Sequence, residues 1–539
     1  MNTDLVIRNA RIYTQWQPMP WVEAIAVWRG RVMALGNDAD ALSWIGNGTK
    51  VIDLHGALVL PGFADAHIHF YDLALRRSQV SLQQVSSLEN LLSTLHSYAV
   101  DLPPGAWLLG YGWDESRWPE PRFPTRYDLD SAVGDRPALI WRADLHAAVA
   151  DSAALSAAGI GPGTRDPESG VIDRDERGVP TGVLREAAIT LVKKAVPPHD
   201  GTKMASNLRA VASELHELGI VSVHDQRLGD TVSEGAEALR LYTDLSKSGK
   251  LLMRVSCNFE PARLDDLIGA GIRSGFGDEW VRVGHVKLFA DGSLGAHTAW
   301  MMEPYDDDPG DYGVSVSSPE ELAETIREAH QHGISASVHA IGDRAVREVL
   351  DIFETVFESG SPRPPSAPHR IEHVMAVQPE DIPRLGKLGI VASIQPIHCV
   401  DDMVKVERLW GKRGANTYRF KSLKEAGAVL ASGSDAPVAD PDPLLGIHAA
   451  VTRQDKDGYP HGGWYPDERL TVAEAVGSYT LGPAFAVGEA NHRGRLTPGY
   501  LADFVALDRN IFTIPPQEIA DARVTMTVIG GEVVFRDGV

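Results

Sequence analysis

Leu58-Val59-Leu60-Pro61-Gly62-Phe63-Ala64-Asp65-Ala66-His67-Ile68-His69 is an apolar run that ends in two histidines one residue apart. Successive strand side chains alternate faces, so a strand here projects His67 and His69 from one side, where both can grip one metal ion. Two ordinary histidines in a loop would leave the same letters. What decides between the readings lies downstream.

The middle of the chain alternates helix and strand. Pro319 to His332 carries Leu322, Ile326 and Ala329 at helical spacing, and Gly333 stops it before the strand Ile334 to Val338. Arg344 to Glu358 sets Val346, Val349, Leu350, Phe353 and Phe357 on one face ahead of a short strand at Ile371. Pro379 to Leu388 precedes the strand Ile390 to Ile394, and Phe420 to Ala426 precedes Val429 to Ala431. Repeated helix-Gly-strand units predict a parallel sheet, either closed as a barrel or open and doubly wound. No Gly-rich phosphate loop follows the first strand of this region, which counts against dinucleotide binding.

Barrels place their active sites at the carboxyl ends of the strands, and here those ends carry metal-ligand residue types. Lys287 lies inside the apolar Val286-Lys287-Leu288-Phe289; His339 ends Ser337-Val338-His339; His373 ends Ile371-Glu372-His373; Asp435 follows Ala431-Ser432-Gly433-Ser434. Any one of these is weak evidence. The ordered series of His-x-His, Lys, His, His and Asp, each at a separate strand end, is not.

Both ends of the chain have a different texture. Leu5 to Ile7, Ala24 to Val27, Val32 to Leu35 and Val51 to Leu54 read as short strands, as do Phe504 to Leu507, Val524 to Ile529 and Val533 to Phe535 around the Gly530-Gly531 turn. Together they predict one sandwich built from both termini. Residues from about 100 to 200 break the helix-strand cadence with many Pro, Gly and aromatic residues, among them Trp107, Tyr111, Trp113, Trp118 and Trp141. That stretch reads as an insertion over the barrel mouth, or as a structural lid or dimer surface.

Composition bounds the partners. The 539 residues carry a net charge of −22 with no dense basic run, which argues against nucleic acid and anionic membrane. Two cysteines, Cys257 and Cys399, are too few for a disulfide framework, and reducing cytoplasm is the expected compartment. No uninterrupted apolar stretch approaches the roughly 20 residues of a membrane span. The expected partner is a small-molecule substrate, with homodimerisation as the expected assembly.

The series of strand-end residues resembles the metal-dependent amidohydrolase superfamily, and within it the YtcJ-like branch, amidohydrolase family 3. The resemblance covers nearly the whole chain. It runs from Leu60-Pro61-Gly62-Phe63-Ala64-Asp65-Ala66-His67-Ile68-His69 through Gly112-Trp113-Asp114-Glu115, His146, and Lys287-Leu288-Phe289-Ala290-Asp291-Gly292. It continues in His339-Ala340-Ile341-Gly342-Asp343, Arg370-Ile371-Glu372-His373, Gln395-Pro396-Ile397-His398 and Gly433-Ser434-Asp435-Ala436-Pro437, and closes on the tail from Gly494 to Asp503.

The resemblance implies an α/β fold, a (β/α)8 TIM-like barrel with a β-sandwich built from both termini and an insertion after the first barrel strand. The expected boundaries are 1–60 and 491–539 for the sandwich and 61–490 for the barrel, with the insertion at about 80–215. It also implies two divalent metal ions. His67, His69 and Asp435 would hold the first, His339 and His373 the second, and Lys287, carboxylated on its amine, would bridge them. Zinc suits this His-rich set, and iron, manganese and cobalt share its ligand types. The implied reaction is hydrolysis of an amide-like C–N bond, the metals lowering the pKa of a coordinated water toward ~7 and Asp435 carrying its proton to the leaving nitrogen.

Asp291, Gln395, His398 and His224 fall near strand ends, and each is a candidate for substrate contact or for structural hydrogen bonding; Trp113 and His146 are candidates from the insertion. Two residues depart from the pattern: His297 stands where relatives often carry arginine, and Asp151 where they often carry asparagine. Both are thereby candidates for altered substrate preference. Two other readings remain open on the same scaffold, a mononuclear deacylase or deaminase and a non-catalytic metal-binding protein.

Overall fold

The computed structural model describes residues 3–103, 105–168, 170–197, 201–226, 232–361 and 363–537. It divides into two units, one of residues 1–70, 209–228 and 237–539, the other of residues 71–208 and 229–236.

The first unit holds an eight-stranded parallel sheet: β1 (Phe63–Ile68), β2 (Ile220–Asp225), β3 (Arg254–Phe259), β4 (Val281–Phe289), β5 (Ala336–Ala340), β6 (Arg370–His373), β7 (Val391–Ile394) and β8 (Leu430–Ser432). Each strand pairs with the next in chain order, the order of a TIM-like barrel. The ring closes between β1 and the segment after β8, where Asp435 N–H donates to His67 O at 2.6 Å and His69 N–H to Ala436 O at 2.8 Å. Gly433 makes that approach feasible. A Cβ there would stand 2.3 Å from His67 N and 2.6 Å from Asp65 Oδ1, so a larger residue would force the two ends apart.

Local sequence explains the connecting helices. Pro319–Gln331 starts on a capping box between Ser318 and Glu321, with Pro319 in its first turn, and buries Leu322, Ile326 and Ala329. Asp343–Ser359 buries Val346, Val349, Leu350 and Phe353 along one stripe and ends at Gly360, whose φ of +67° suits a glycine stop. The helix expected from Pro379 begins instead at Ile382, with Asp381 as its N-cap. Asp381 N–H closes a turn on Gln378 O ahead of it.

The terminal strands form two sheets. Leu5–Arg8 pairs with Ala24–Trp28 and with Lys50–Asp53, and Arg31–Gly36 completes a four-stranded sheet. In the six-stranded sheet the N-terminal strand Leu58–Pro61 runs antiparallel to the C-terminal strand Phe504–Leu507, Phe504 opposite Pro61. Ile7, Ile12, Ile25, Val59, Phe504 and Val528 fill the shared core, so both termini do build one sandwich. The opening apolar run is therefore two strands. Leu58–Pro61 belongs to the sandwich and Phe63–Ile68 to the barrel, and Gly62 between them packs where a Cβ would meet Val221 Cγ2 at 2.6 Å.

The second unit carries a six-stranded mixed sheet in the order Gly170–Arg174, Pro180–Glu186, Ala147–Ala150, Ala138–Arg142, Leu108–Trp113 and Val80–Ser81. Helices Leu88–Asp101, Arg126–Val133, Ser152–Ala157 and Ala188–Lys193 accompany it. The sequence showed only weak periodicity here, because Leu108–Trp113 and Ala147–Ala150 are apolar at nearly every position and Gly112 and Gly182, both at positive φ, lie within strands.

Arg254 of β3 and Asp503, next to the sandwich strand Phe504–Leu507, form a buried two-pronged ion pair: Nε to Oδ2 at 2.7 Å and Nη2 to Oδ1 at 2.8 Å. Removing one member leaves an uncompensated buried charge. Asp503→Ala is expected to lower stability to urea by about 3–5 kcal/mol, whereas Arg254→Met with Asp503→Leu recovers most of that loss. Equal losses in both proteins, followed by tryptophan fluorescence, would contradict this reading of the pair.

Candidate active site

The carboxyl ends of the barrel strands bring the ligand-type residues together. Donor atoms of His67, His373 and Asp435 lie within 4.8 Å of one another, all buried. His69 Nε2 lies 2.9 Å from Asp435 Oδ1, and His67 Nε2 lies 3.3 Å from the same oxygen. The imidazoles stand in a row: His69 to His67 at 5.7 Å between ring centres, His67 to His373 at 4.9 Å, His373 to His339 at 4.5 Å.

His67 lies in β1 and His69 directly follows its last residue, Ile68, so the alternation of the strand carries both to one side. His373 reaches the site differently. Glu372 and His373 are consecutive, which in a regular strand would send them to opposite faces, but His373 has a φ of +72°. Asp435 is similarly strained at +61°. Non-glycine residues in the left-handed region cost free energy and persist where surrounding structure holds them.

Lys287 is buried, and among the described residues its Nζ has no hydrogen-bond partner. Burial lowers its amine pKa to about 8, against the opposing pull of Glu372 and Asp435. His373 is held well below the usual imidazole range by burial and by His339 and His67, so it stays a neutral ring. Burial alone would raise the Asp435 carboxyl, but His67 and His69 hold it well below its ordinary value.

Several residues without a role in the sequence reading hold this arrangement. Glu372 accepts from His67 Nδ1 at 2.5 Å and from Ser337 Oγ at 2.5 Å, and Arg370 flanks it through Nη2 at 3.0 Å. The carbonyl of Gln226 faces His69 Nδ1 at 2.6 Å. Asp65 accepts from His67 N–H at 3.0 Å and from Ser434 Oγ at 2.5 Å, and burial pushes its carboxyl up to about 6. The signal for Glu372 and Asp65 was their position two or fewer residues from a ligand, which sequence alone does not separate from strand filling.

The sequence model of the amidohydrolase family matches residues 50–535. The chain belongs to the amidohydrolase family. It is similar to the putative amidohydrolase YtcJ of Bacillus subtilis, 34% identical over 527 residues that cover 97% of this chain and 98% of the relative. With N-substituted formamide deformylase of Arthrobacter pascens it shares 28% identity over 546 residues, 98% of this chain and 97% of that one. Among solved structures, an uncharacterised metal-dependent hydrolase from Pyrococcus horikoshii matches with a TM-score of 0.78 at 30% identity, covering 95% of this chain and 99% of that chain. Membership makes the protein a hydrolase of carbon–nitrogen bonds whose site takes a divalent metal.

The remaining candidates divide by place in this amidohydrolase. Asp291 is buried and accepts from the N–H groups of Trp300 at 2.9 Å, Ile341 at 2.9 Å and Gly342 at 2.7 Å, and it lies 3.6 Å from His339 Nε2. His339 Nε2 also meets Gly292 O at 2.9 Å. His398 lies parallel to His373 at 6.3 Å, and its Nε2, like Gln395 Nε2, is buried with no hydrogen-bond partner. His224 is fully buried beside Arg370, 3.0 Å from Nη1. His297 stacks on Tyr305 at 4.6 Å and stands 3.5 Å from Asp311.

Trp113 and His146 belong to the second unit. Trp113 is fully buried in that unit's core, edge-on to Phe123, and His146 Nδ1 faces Glu186 at 3.0 Å. Asp151 caps the helix Ser152–Ala157 there, taking the N–H groups of Ala154 at 2.7 Å and Ala138 at 2.9 Å on Oδ1, while Oδ2 is buried with no partner.

Burial pushes the Asp151 carboxyl up to about 6. A raised carboxyl favours the protonated native state, so its cost to stability sets in as pH rises from its unfolded value near 3.8 and is complete above about 6. Asp151→Asn is expected to raise the melting temperature at pH 8 and to lose that advantage progressively as the pH falls from about 6 toward 4. A gain of the same size at both ends of the range would show that charge is not its source.

Proposed function

We propose that this amidohydrolase opens an amide-like carbon–nitrogen bond of a small molecule, an amide, an N-substituted formamide or a cyclic amide, with Asp435 as the proton carrier. The observation that carries the proposal is the convergence of His67, His373 and Asp435 within 4.8 Å, together with the buried amine of Lys287, which has no hydrogen-bond partner among the described residues. The full-length likeness to a formamide deformylase supports the substrate class.

The residues fit a divalent ion. The neutral imidazole of His373 and the ionised carboxylate of Asp435 meet His67 at one point, and zinc accepts such a set. His67, His69 and Asp435 would hold one ion, and His339 and His373 a second. Lys287 fits as the bridge because its amine, lowered to about 8 by burial, has a substantial neutral fraction near neutral pH. Attack of that amine on carbon dioxide forms an N–C bond and releases one proton, leaving a carbamate with two ligand oxygens and one negative charge.

A bound divalent ion supplies Lewis acidity, lowering the pKa of a coordinated water toward ~7 and polarising the scissile carbonyl. Asp435 does the proton work. Its carboxylate is ionised at neutral pH and fixed by His69 Nε2 at 2.9 Å, so it can accept the proton of the attacking water on one oxygen. Delivering that proton to the leaving nitrogen lets an amine depart in place of an amide anion. Gln395 and His398, each with a buried Nε2 that has no partner, supply donors for a substrate oxygen.

A mononuclear deacylase or deaminase is the second reading. It is favoured by the fact that, among the described residues, one group of three ligands lies within mutual reach, and that group takes one histidine from each of the two expected sets.

Asp435→Asn is expected to keep its metal while turnover of N-substituted formamides and N-acyl amines falls on the order of 10²–10⁴-fold. Full activity in that variant would remove Asp435 from the proton pathway. Elemental analysis of the purified protein separates the two readings. Two metals per chain with the mass of carbon dioxide on Lys287 supports the bridged site, and one metal with an unmodified Lys287 supports the mononuclear enzyme. Removing the metal with a chelator is expected to abolish turnover, and activity untouched by complete removal would contradict both.

A further inference from the structure

Glu372 has no part in the reaction proposed above, yet it is fully buried and bonded on several sides. Ser337 Oγ donates to Oε1 at 2.5 Å, and Arg370 donates from Nη2 to Oε2 at 3.0 Å while its Nε lies against Oε1. His67 Nδ1 stands 2.5 Å from Oε2. A carboxylate placed against a guanidinium and a hydroxyl donor accepts hydrogen bonds, so the proton of the His67 contact belongs to Nδ1. In the neutral ring the lone pair then sits on Nε2, the nitrogen that faces Asp435 at 3.3 Å.

Arg370 is itself held from three other strands. Nη2 reaches Ala66 O in β1 at 2.5 Å and Ser393 Oγ in β7 at 2.7 Å, and Nη1 meets His224 Nδ1 in β2 at 3.0 Å, while Arg370 and Glu372 share β6. Glu372 therefore has little freedom to leave His67. The other member of the β1 pair is oriented differently, since His69 Nδ1 faces the backbone carbonyl of Gln226 at 2.6 Å. A side-chain substitution can alter the support of His67 and leave that of His69 in place.

We propose that Glu372 is a positioning residue. Clamped by Arg370 and Ser337, it fixes His67 in the Nδ1-protonated tautomer and thereby sets how tightly the chain holds a divalent ion, without touching ion or substrate. This rests on the reading of His67 as a metal ligand.

The test measures zinc affinity of the full-length protein by competition with a chelator, alongside the melting temperature of the metal-free chain. Glu372→Asp keeps the charge for Arg370 but withdraws the carboxylate from His67, and is expected to weaken zinc binding 10–100-fold with a smaller proportional fall in kcat than in metal occupancy. Ser393→Ala removes one contact of Arg370 while its bonds to Ala66, His224 and Glu372 remain, and is expected to lower the melting temperature with zinc affinity unchanged. Parent-like zinc affinity in Glu372→Asp overturns the proposal. So does a loss of affinity in Ser393→Ala that matches Glu372→Asp at equal melting temperature, because affinity would then merely follow the stability of the fold. Should Glu372→Asp not fold, Ser337→Ala removes one donor to the same carboxylate; severalfold weaker zinc binding supports the proposal, and unchanged binding overturns it. An unaltered protein that takes up no zinc removes His67 as a ligand, and this inference falls with it.

Discussion

Everything at the active site depends on how the barrel closes. Two segments far apart in the chain, Asp65 to His69 and Ser434 to Ala436, are tied by backbone bonds from Asp435 to His67 and from His69 to Ala436. Asp65 adds a side-chain staple, taking both the N–H and the hydroxyl of Ser434. The closure leaves Asp435 Oδ1 between His67 and His69 at 3.3 and 2.9 Å. The contact is possible because residue 433 has no side chain. A barrel held open by even one methyl group there would separate Asp435 from His67 and His69.

The second constraint is electrostatic. Barrel interiors are usually packed with branched apolar side chains. Here Ser222, His224, Asn258, His285, Lys287, Ser337, Arg370, Glu372 and Ser393 are all buried along the strands. Such groups are costly unless they find partners, and a partly satisfied network is where a fold is weakest. Arg370 and Glu372 solve this for each other and for His67. Lys287 meets the ring face of Phe289 instead, and its Nζ, without a hydrogen-bond partner among the described residues, marks, like the positive φ at His373 and Asp435, where the fold accepts a local cost.

Legibility followed range. The spacing of His67 and His69 and the ligand types at the ends of β4, β5, β6 and β8 could be read locally, because each strand end is set by alternation and by the helix stop before it. The family resemblance turned that series into a barrel. What stayed hidden was non-local. No pattern near Glu372 says that it meets His67, 305 residues earlier in the chain. No pattern near Leu58 says that it pairs with Leu507. The second unit was missed as a regular sheet for a different reason, its strands being apolar at nearly every position or interrupted by glycines, so that no period-two alternation registers.

The most direct measurement is anomalous diffraction at the zinc edge from crystals of the protein grown with zinc. The account predicts density enclosed by His67, His69, His373 and Asp435, with a second peak toward His339 if Lys287 carries a carbamate. Density only at surface carboxylates, with those residues bonded to one another as before, would contradict it.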